Sequence, residues 1–496
     1  MNRNLLLLLC CVGIALTPAK AQNWQEKLHV LRESLDNRDE LVSKNIMESM
    51  SMRLQQDWDS IKLEKTPTRR PARKPASPPT LDEESSLIEK NIPIKIEASQ
   101  KLETHRLAPD ENSPKSLDFD NTPGLSHSEE MLLTRANTYG FFGTGVSLKY
   151  APGLQFSLGV APSRLAISQK WNQLQRAHGE LVLFQLLQEA HKRKLNDWGF
   201  CQLVHKSARK LYPKDRNARA LYELYMLSRA GYLSRLAKSG SRLYVLLPVL
   251  QTLYGATYLN VEGQKYYVMD FDGRPVNVAK AVALNLNYPN SKEQIDMRLT
   301  TLPDVGSHVL TRRLRFTYRG KAYNLSARMN KNLVHFFYSY PTTDWDVQLS
   351  LPASEHVKNS LVAQLRRIVR GKSEREAANM ILRFVQTGLK YQTDEQQFGF
   401  ENYLFAEETL YYAYSDCEDR SVLFAYLIKE VLGLEVIGLI FPGHAATAVK
   451  FRSQVSGTYL TYRGRKYVVC DPTYINSSVG MILPEVRNKN TQIVSI

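Results

Sequence analysis

The sequence predicts an α+β fold in which one module follows a degenerate copy of itself, with a β-rich segment between the two. Three observations support this prediction. Apolar residues recur at helical spacing over 164–238 and 354–391, alternating strand patterns occupy 308–351 and 435–471, and two blocks of sequence recur at one offset. The chain has 496 residues, 43% hydrophobic and 23% charged. This composition excludes a wholly disordered or fibrous chain, and the length allows roughly three domains.

The first 21 residues are typical of a secretory signal peptide. Arg3 supplies the positive region, residues 5–16 form an apolar core, and Ala19-Lys20-Ala21 fits a cleavage site. A retained anchor helix is the alternative, but about 12 apolar residues are too few to span a bilayer easily. We therefore expect an exported protein, periplasmic or secreted, with no transmembrane span after cleavage. In that setting the net charge of +16 does not indicate nucleic acid as a partner.

Residues 22–137 are predicted to form a helical and Pro/Arg-rich stalk that is largely disordered. Its first part has apolar residues at helical spacing: Trp24, Leu28, Leu31 and Leu35. Such a helix is either solvated or self-associating. A Pro- and Arg-rich run over 66–79 is typical of an extended linker. The basic excess lies beyond the stalk, since residues 138–496 hold 46 Lys and Arg against 28 Asp and Glu.

The folded body divides into three predicted parts. Residues 138–290 form the degenerate module with basic helices, 291–353 the β-rich segment, and 354–496 the catalytic module. Alternation within the β-rich segment predicts strands, the last of them from Val334 to Tyr340.

The two modules are related by an offset of 201 residues. Leu259–Asp270 matches Leu460–Asp471 without a gap, and Arg219–Leu227 matches Arg420–Ile428 at the same offset. Coincidence between unrelated α+β segments is the alternative, but two blocks at one offset favour duplication.

The first copy lacks the residues that would carry chemistry in the second. Arg216 stands where the second copy has Cys417, and Pro248-Val249-Leu250 stands near the position of Pro442-Gly443-His444, without a histidine. The first copy is therefore predicted to be inactive.

Cys417 is the candidate nucleophile. Ser415 or Asp416 can cap the helix that follows, and Ser415 with Glu418 has the capping-box spacing. Cys417 would then lie at a helix N-terminus, where the dipole favours the thiolate that nucleophilic attack requires. A buried structural cysteine is the alternative.

His444 and Asp471 are its candidate partners. His444 opens a strand after a turn, with small residues on its face, and Asp471 ends a later strand. Each alone is equally well explained by packing or by a turn. In the order Cys, His, Asp they predict a catalytic triad. Cys201 and Cys470 are predicted to be structural, which leaves Cys417 as the functional free thiol.

Three motifs resemble those of the transglutaminase-like superfamily, nearest its bacterial cysteine-proteinase branch: Asp416-Cys417-Glu418-Asp419-Arg420, Pro442-Gly443-His444-Ala445 and Cys470-Asp471-Pro472-Thr473-Tyr474. The resemblance covers about 374–480, and more weakly 200–272. It implies a papain-like fold in which a cysteine attacks a carboxamide, a histidine moves the proton and an aspartate orients the ring. The family commonly has Gly where Ser415-Asp416 stand, which affects the turn before the nucleophile.

The resemblance also implies a function and two further sets of residues. The function is that of an exported enzyme acting on amide bonds of a protein or envelope peptide, with the acyl-enzyme resolved by water or by an amine. Gln386 is the candidate for oxyanion support, although an exposed helix glutamine explains it equally well. The acidic residues Asp416, Glu418 and Asp419 correspond to calcium ligands of the proteinase branch, and carboxylates suit that ion. Helix capping and a bond to Arg420 explain them without a metal, and the chemistry requires no cofactor.

A binding protein is the alternative to an enzyme. In this hypothesis both modules are inactive scaffolds, and the basic helical region 164–238 docks on an anionic envelope surface. The sequence leaves the oligomeric state open.

Overall fold

The computed structural model describes residues 24–36, 49–56, 58–67, 74, 76–81, 92–94, 124–269, 271, 278, 280–284, 288 and 291–495. These residues form an α+β protein with 38% helix and 27% strand, in agreement with the predicted class. The predicted signal peptide and Asp270 of the repeat lie outside the described residues. In the part of the chain that the structure describes, no helix is both long enough and apolar enough to cross a membrane.

The helices carry most of the core. Residues 49–55 are helical, and the α-helices with defined bounds are α1 (Trp24–Asp36), α2 (His127–Leu132), α3 (Arg164–Arg176), α4 (Gly179–Lys192), α5 (Asp197–Leu211), α6 (Arg216–Arg229), α7 (Lys331–Phe337), α8 (Asp346–Ser350), α9 (Glu355–Val357), α10 (Ala363–Val369), α11 (Glu374–Gly388), α12 (Asp394–Phe398), α13 (Ala406–Tyr411) and α14 (Cys417–Leu432). A π-helical turn, Lys358–Val362, joins α9 to α10, and Pro152–Leu154 forms a 3₁₀ turn.

The strands are short and mostly antiparallel. They are β1 (Asp59–Lys62), β2 (Glu64–Lys65), β3 (Ile92–Pro93), β4 (Arg135–Phe141), β5 (Thr144–Tyr150), β6 (Arg235–Ser239), β7 (Arg242–Pro248), β8 (Thr257–Val261), β9 (Gln264–Met269), β10 (Lys280–Ala283), β11 (Val309–Tyr318), β12 (Lys321–Asn330), β13 (Lys390–Tyr391), β14 (Tyr414–Ser415), β15 (Glu435–Phe441), β16 (His444–Lys450), β17 (Thr458–Tyr462), β18 (Arg465–Cys470) and β19 (Gln492–Val494).

Two sheets follow the same chain path. The strand order is β1-β10-β6-β7-β9-β8-β2 in the first sheet and β19-β15-β16-β18-β17-β3 in the second. In the first sheet α6 is followed by β6 to β9, and in the second sheet α14 is followed by β15 to β18. In both sheets the fourth of these strands lies between the second and the third. A later strand then pairs beside the first of the four, and a strand from the N-terminal region pairs at the opposite edge. This shared path supports the duplication that the sequence offset indicates.

The register of the two sheets agrees with the same alignment. Leu246 pairs with Val268 in the first sheet, and Ala448 pairs with Val469 in the second. β6 and β7 match β15 and β16 at an offset of 202, whereas β8 and β9 match β17 and β18 at the offset of 201 found in the sequence. At these offsets the two pairs occupy matching positions of the repeat. The prediction of helical structure over 164–238 is wrong for the last four residues, because β6 begins at Arg235 and pairs with β7.

The N-terminal region packs on the body wherever the structure describes it. The apolar stripe of α1 is buried against α4, and Trp24 Nε1 donates to the backbone oxygen of Leu195 at 2.7 Å. β1 and β2 complete the two edges of the first sheet, where unpaired strand groups need partners. The helix predicted over 24–64 is confirmed at α1, where its apolar stripe is buried in the chain, and is wrong at β1 and β2, which are strands. The prediction of a largely disordered stalk is also wrong for β1 and β2, because their backbone groups pair with other strands of the chain.

The β-rich segment contains the short helices α7 and α8 as well as strands. β11 and β12 form the predicted hairpin, but the predicted strand from Val334 to Tyr340 is wrong, because α7 covers most of it. The Asn330 side chain accepts a hydrogen bond from the backbone N–H of Asn332 and so caps α7. Val334 and Phe337 are buried three residues apart, which is the spacing of a helical face.

Candidate active site

Cys417 is the first residue of α14, the position that the capping pattern predicts. The N-cap residue is Asp416, whose backbone N–H donates to Asp419 Oδ2 at 3.2 Å. Arg420, one turn into the helix, is buried and donates to two backbone oxygens at the end of α11, at 3.2 and 3.0 Å. Arg420 thus joins α14 to α11. Among the described residues it makes no ion pair with the neighbouring carboxylates, contrary to the predicted bond.

The thiol of Cys417 is buried and protonated. The residue is 1% exposed, and its Sγ donates to Glu418 Oε2 at 2.8 Å. Burial and the negative charges of Glu418 and Asp416 raise the pKa of the thiol well above its ordinary value, although Lys74 opposes them. The expectation that the helix N-terminus favours a thiolate is wrong for this state of the site. Desolvation and two adjacent carboxylates outweigh the dipole.

His444 and Asp471 form a buried pair. His444 is the first residue of β16, and its Nε2 lies 2.7 Å from Asp471 Oδ2. The other carboxylate oxygen, Oδ1, accepts the backbone N–H groups of Thr473 and Tyr474, each at 3.0 Å. Burial favours the neutral ring, but the charge and hydrogen bond of Asp471 prevail and raise the pKa of His444 above its ordinary value. The ring is therefore oriented through Nε2, which leaves Nδ1 for another partner.

The helix that begins with Cys417 packs on the strand that begins with His444. Ser421, one turn after Cys417, donates through Oγ to the backbone oxygen of Ala445 at 3.4 Å. Glu418 is close enough for its charge to raise the pKa of His444. The Cys417 thiol is bonded to Glu418, and His444 is bonded to Asp471. Within the described residues the direct hydrogen bond from thiol to imidazole is not formed.

Gln386 lies beside the pair but is occupied. Its Nε2 donates to the backbone oxygens of Asp471, Tyr474 and Ser477 at 3.1, 2.8 and 3.2 Å, and to Ser477 Oγ at 3.0 Å. The residue is 1% exposed, so the reading of an exposed helix glutamine is wrong. The amide nitrogen that would stabilise an oxyanion already donates its hydrogen bonds to the loop after Asp471. Gln386 thus holds that loop in position.

Lys74 lies in the acidic cluster beside the thiol. Its Nζ is 2.6 Å from Asp416, 2.7 Å from Glu401 and 2.9 Å from Glu418, and its side chain is 4% exposed. Burial alone would lower the pKa of Lys74, but the carboxylates, led by Glu418 and Asp416, raise it well above its ordinary value. Burial and Glu418 raise the pKa of Glu401 to about 7. The ammonium group is therefore charged and offsets part of the negative charge of a buried carboxylate cluster.

Further N-terminal residues continue across the same module. Thr80 bridges Ile475, and the backbone N–H of Leu81 donates to the Ile475 oxygen at 2.9 Å, four residues after Asp471. β3 pairs in parallel with β17 at the edge of the second sheet. We call residues 74, 76–81 and 92–94 the strap. It extends from the candidate nucleophile, past the loop after Asp471, to the sheet edge.

The acidic cluster bears on the calcium prediction for Asp416, Glu418 and Asp419. Carboxylate oxygens of Asp394, Asp416 and Asp419 lie within 4.8 Å of one another, so the donor chemistry suits a hard cation. However, Asp416 and Glu418 bind Lys74, and both oxygens of Asp419 accept backbone N–H groups. A calcium ion at Asp416 and Glu418 would have to displace Lys74. Calcium binding stays a prediction.

Sequence reasoning missed Lys74 and Glu401. Both depend on contacts between distant parts of the chain, since Lys74 lies 342 positions before its partner Asp416. The local signal is the Pro- and Arg-rich run over 66–79 that contains Lys74, and it indicates an extended chain without indicating which part of the protein the chain contacts.

The first module has basic residues at the corresponding positions. Arg216 begins α6 as Cys417 begins α14. Arg242 pairs with Ser239 as His444 pairs with Phe441, at the first position of the second strand. The sequence comparison of His444 with residues near Leu250 was therefore misplaced, and Arg242 is its structural counterpart.

The other two described cysteines are buried free thiols. Cys201 lies in α5 and Cys470 at the end of β18, and neither is in a disulfide. Burial raises the pKa of both thiols above the ordinary value. These properties fit the structural role predicted for them.

Comparison of the chain with protein-family models, with curated proteins and with solved structures found no match. The resemblance to the transglutaminase-like superfamily therefore depends on the three sequence motifs alone.

Proposed function

We propose that this chain is an exported cysteine-dependent enzyme that acts on amide bonds of a protein or envelope peptide, through a papain-like, transglutaminase-like module. The observation that carries the proposal is the buried pair of His444 Nε2 and Asp471 Oδ2 at 2.7 Å. The pair holds the proton of the neutral ring on Nε2, so Nδ1 is the basic nitrogen. Peptidase activity is our first expectation, and transamidation or deamidation would use the same acyl-enzyme.

The reaction begins when the thiol of Cys417 turns from Glu418 toward His444. Nδ1 takes the thiol proton, and Sγ forms a bond to the carbonyl carbon of the substrate. The C–N bond then breaks as His444 returns the proton to the leaving amine. Water or a second amine attacks the resulting thioester, loses a proton to Nδ1 and releases the thiol.

Two features of the module would stabilise charge during these steps. The backbone N–H of Cys417 lies in the first turn of α14, where the helix dipole favours an oxyanion. The Asp471 carboxylate offsets the positive charge of the imidazolium. Gln386 acts as a positioning residue in this scheme, since its amide anchors the loop that carries Asp471.

The strap makes the described state a latent one. Lys74 offsets part of the negative charge of the carboxylates beside Cys417, and the thiol beneath it is buried and protonated. A substrate carbonyl has to reach Sγ, so Lys74 has to leave before the enzyme can act. Departure of Lys74 would also release Asp416 and Glu418 for the predicted calcium ion.

The alternative function is an envelope scaffold that uses inactive modules and a basic docking surface. Arg216 and Arg242 in the first module favour a non-catalytic role for that module alone. Export through the signal peptide stays a prediction.

The test is acylation of the thiol by p-nitrophenyl acetate, followed by mass spectrometry, in Lys74→Ala protein. We expect a burst of p-nitrophenol that matches the enzyme concentration and an acetyl group on Cys417. Cys417→Ala should abolish both, His444→Gln should abolish the burst, and the matched control Cys470→Ala should keep it. A burst that survives in Cys417→Ala or His444→Gln would refute the triad. An exposed thiol that reacts with iodoacetamide but gives no burst would favour the scaffold.

A further inference from the structure

A cavity of about 50 Å³ lies in the first module, between α5, α6 and the first sheet. Among the described residues its polar lining is mostly basic, with Arg216, Arg219, Arg242 and His205, and its one acidic side chain is Glu223. The single carboxylate among them is engaged, because Glu223 Oε1 lies 2.7 Å from His205 Nδ1.

The three arginines have no acidic partner among the described residues. Arg242 stacks its guanidinium over the ring of Tyr244, with 5.2 Å from Cζ to the ring centroid. The Nε of Arg242 is buried and has no hydrogen-bond partner among the residues that the structure describes. A buried donor without an acceptor is unfavourable unless a ligand or water supplies one.

The cavity lies at the place in the first module that Cys417 and His444 occupy in the second. Arg216 occupies the helix position of Cys417, and Arg242 occupies the strand position of His444. The cleft between helix and sheet is thus retained in the first copy, while its chemistry has changed from a nucleophile with a base to a pair of cations.

We infer that this pocket binds one oxyanion, a carboxylate or a phosphate group. Guanidinium groups present paired N–H donors that match both groups and remain charged at all physiological pH values. A volume of about 50 Å³ suits a single such group at the end or on a branch of a larger molecule. This inference does not depend on the proposed function, because an enzyme or a scaffold could use the site to hold an anionic ligand.

The experiment is isothermal titration calorimetry of the full chain with three probes at physiological salt. The probes are inorganic phosphate, glycylglycine with a free carboxylate, and glycylglycine amide. Preferential binding of phosphate identifies a phosphate-bearing ligand. Preferential binding of the free dipeptide over its amide identifies a chain-terminal carboxylate.

Two variants and one control make the result specific. Arg242→Gln and Arg216→Gln should each weaken binding about tenfold or more, since each removes a charged hydrogen-bond donor. Arg216 is exposed, so its replacement keeps the test valid even if Arg242→Gln fails to fold. Arg313→Gln removes an exposed arginine of β11 and should leave binding unchanged. Absence of binding to either anion at millimolar concentration, or equal weakening in Arg313→Gln, would overturn the inference.

Discussion

Replacing Lys74 with alanine should open the candidate active site. Lys74 is the residue through which the strap contacts the carboxylates beside Cys417. Without the ammonium group, Glu401, Asp416 and Glu418 would remain as uncompensated charges under the strap. Because that arrangement is unfavourable, we expect the strap to leave this end of the site and the carboxylates to become hydrated.

The expected gain in accessibility of the Cys417 thiol follows from the burial of the ion pair between Lys74 and Asp416. Lys74 is 4% exposed, and Asp416 is fully buried. Removal of one partner from a buried ion pair typically costs about 3–5 kcal/mol. Each 1.4 kcal/mol changes an equilibrium about tenfold, so the fraction of molecules with an accessible thiol should rise by roughly 100-fold or more.

The assay is the rate of iodoacetamide labelling at Cys417, located by peptide mass spectrometry. The matched control is Lys149→Ala, which removes a lysine that is 52% exposed and pairs with Glu130 at 3.3 Å. Lys74 lowers the pKa of the thiol, so the pH dependence has to be recorded as well. Adding Glu418→Gln removes the neighbouring negative charge and should increase labelling further at neutral pH. Equal labelling rates in wild type and Lys74→Ala, with full labelling of both in denaturant, would show that the strap does not bury the thiol.

Two further predictions concern stability. The pKa of His444 is raised in the folded protein, so its interaction with Asp471 stabilises the folded state fully below the ordinary histidine pKa of 6.5. This contribution is lost as pH rises through the raised pKa. Urea denaturation across pH should show the loss in wild type and not in His444→Gln. Leu28 is buried in α1, so Leu28→Ala should lower the free energy of unfolding by about 2–5 kcal/mol, whereas Val30→Ala, at a residue 59% exposed, should change it by less than about 0.5 kcal/mol. Equal effects of the two α1 substitutions would show that α1 does not belong to the core.

Local patterns predicted the second module well. The predicted ranges are 417–432 for α14 and 435–441, 444–451, 458–462 and 466–471 for β15 to β18. The observed bounds fall within one residue of them, because capping residues, glycine turns and strong alternation coincide there. The repeat added long-range information, since two copies of one pattern imply one strand order. It did not locate the counterpart of His444, because the compared segments have no shared motif at that point.

The errors occur where tertiary contacts decide the structure. From Val334 to Tyr340 the chain is apolar enough for a strand, yet the cap at Asn330 and two-sided burial of the aromatic residues favour α7. Gln386 likewise has no local signal that separates an oxyanion donor from a loop anchor. Only the position of the loop after Asp471 distinguishes them.

The strap and the rest of the N-terminal region differ in how deeply they enter the structure, and this difference bears on regulation. The buried side chains of α1, together with Met50, Leu54 and Trp58, belong to the main core of the first module. In the strap, Ile94 is buried and Leu81 is half-buried against the same apolar cluster, and the other contacts are hydrogen bonds at the sheet edge and the loop and the Lys74 ion pairs. Contacts of this kind can open locally at a fraction of the global unfolding free energy. Opening at the Lys74 end of the strap would therefore expose the thiol while α1 and the first sheet stay folded, which is what the proposed latent state requires.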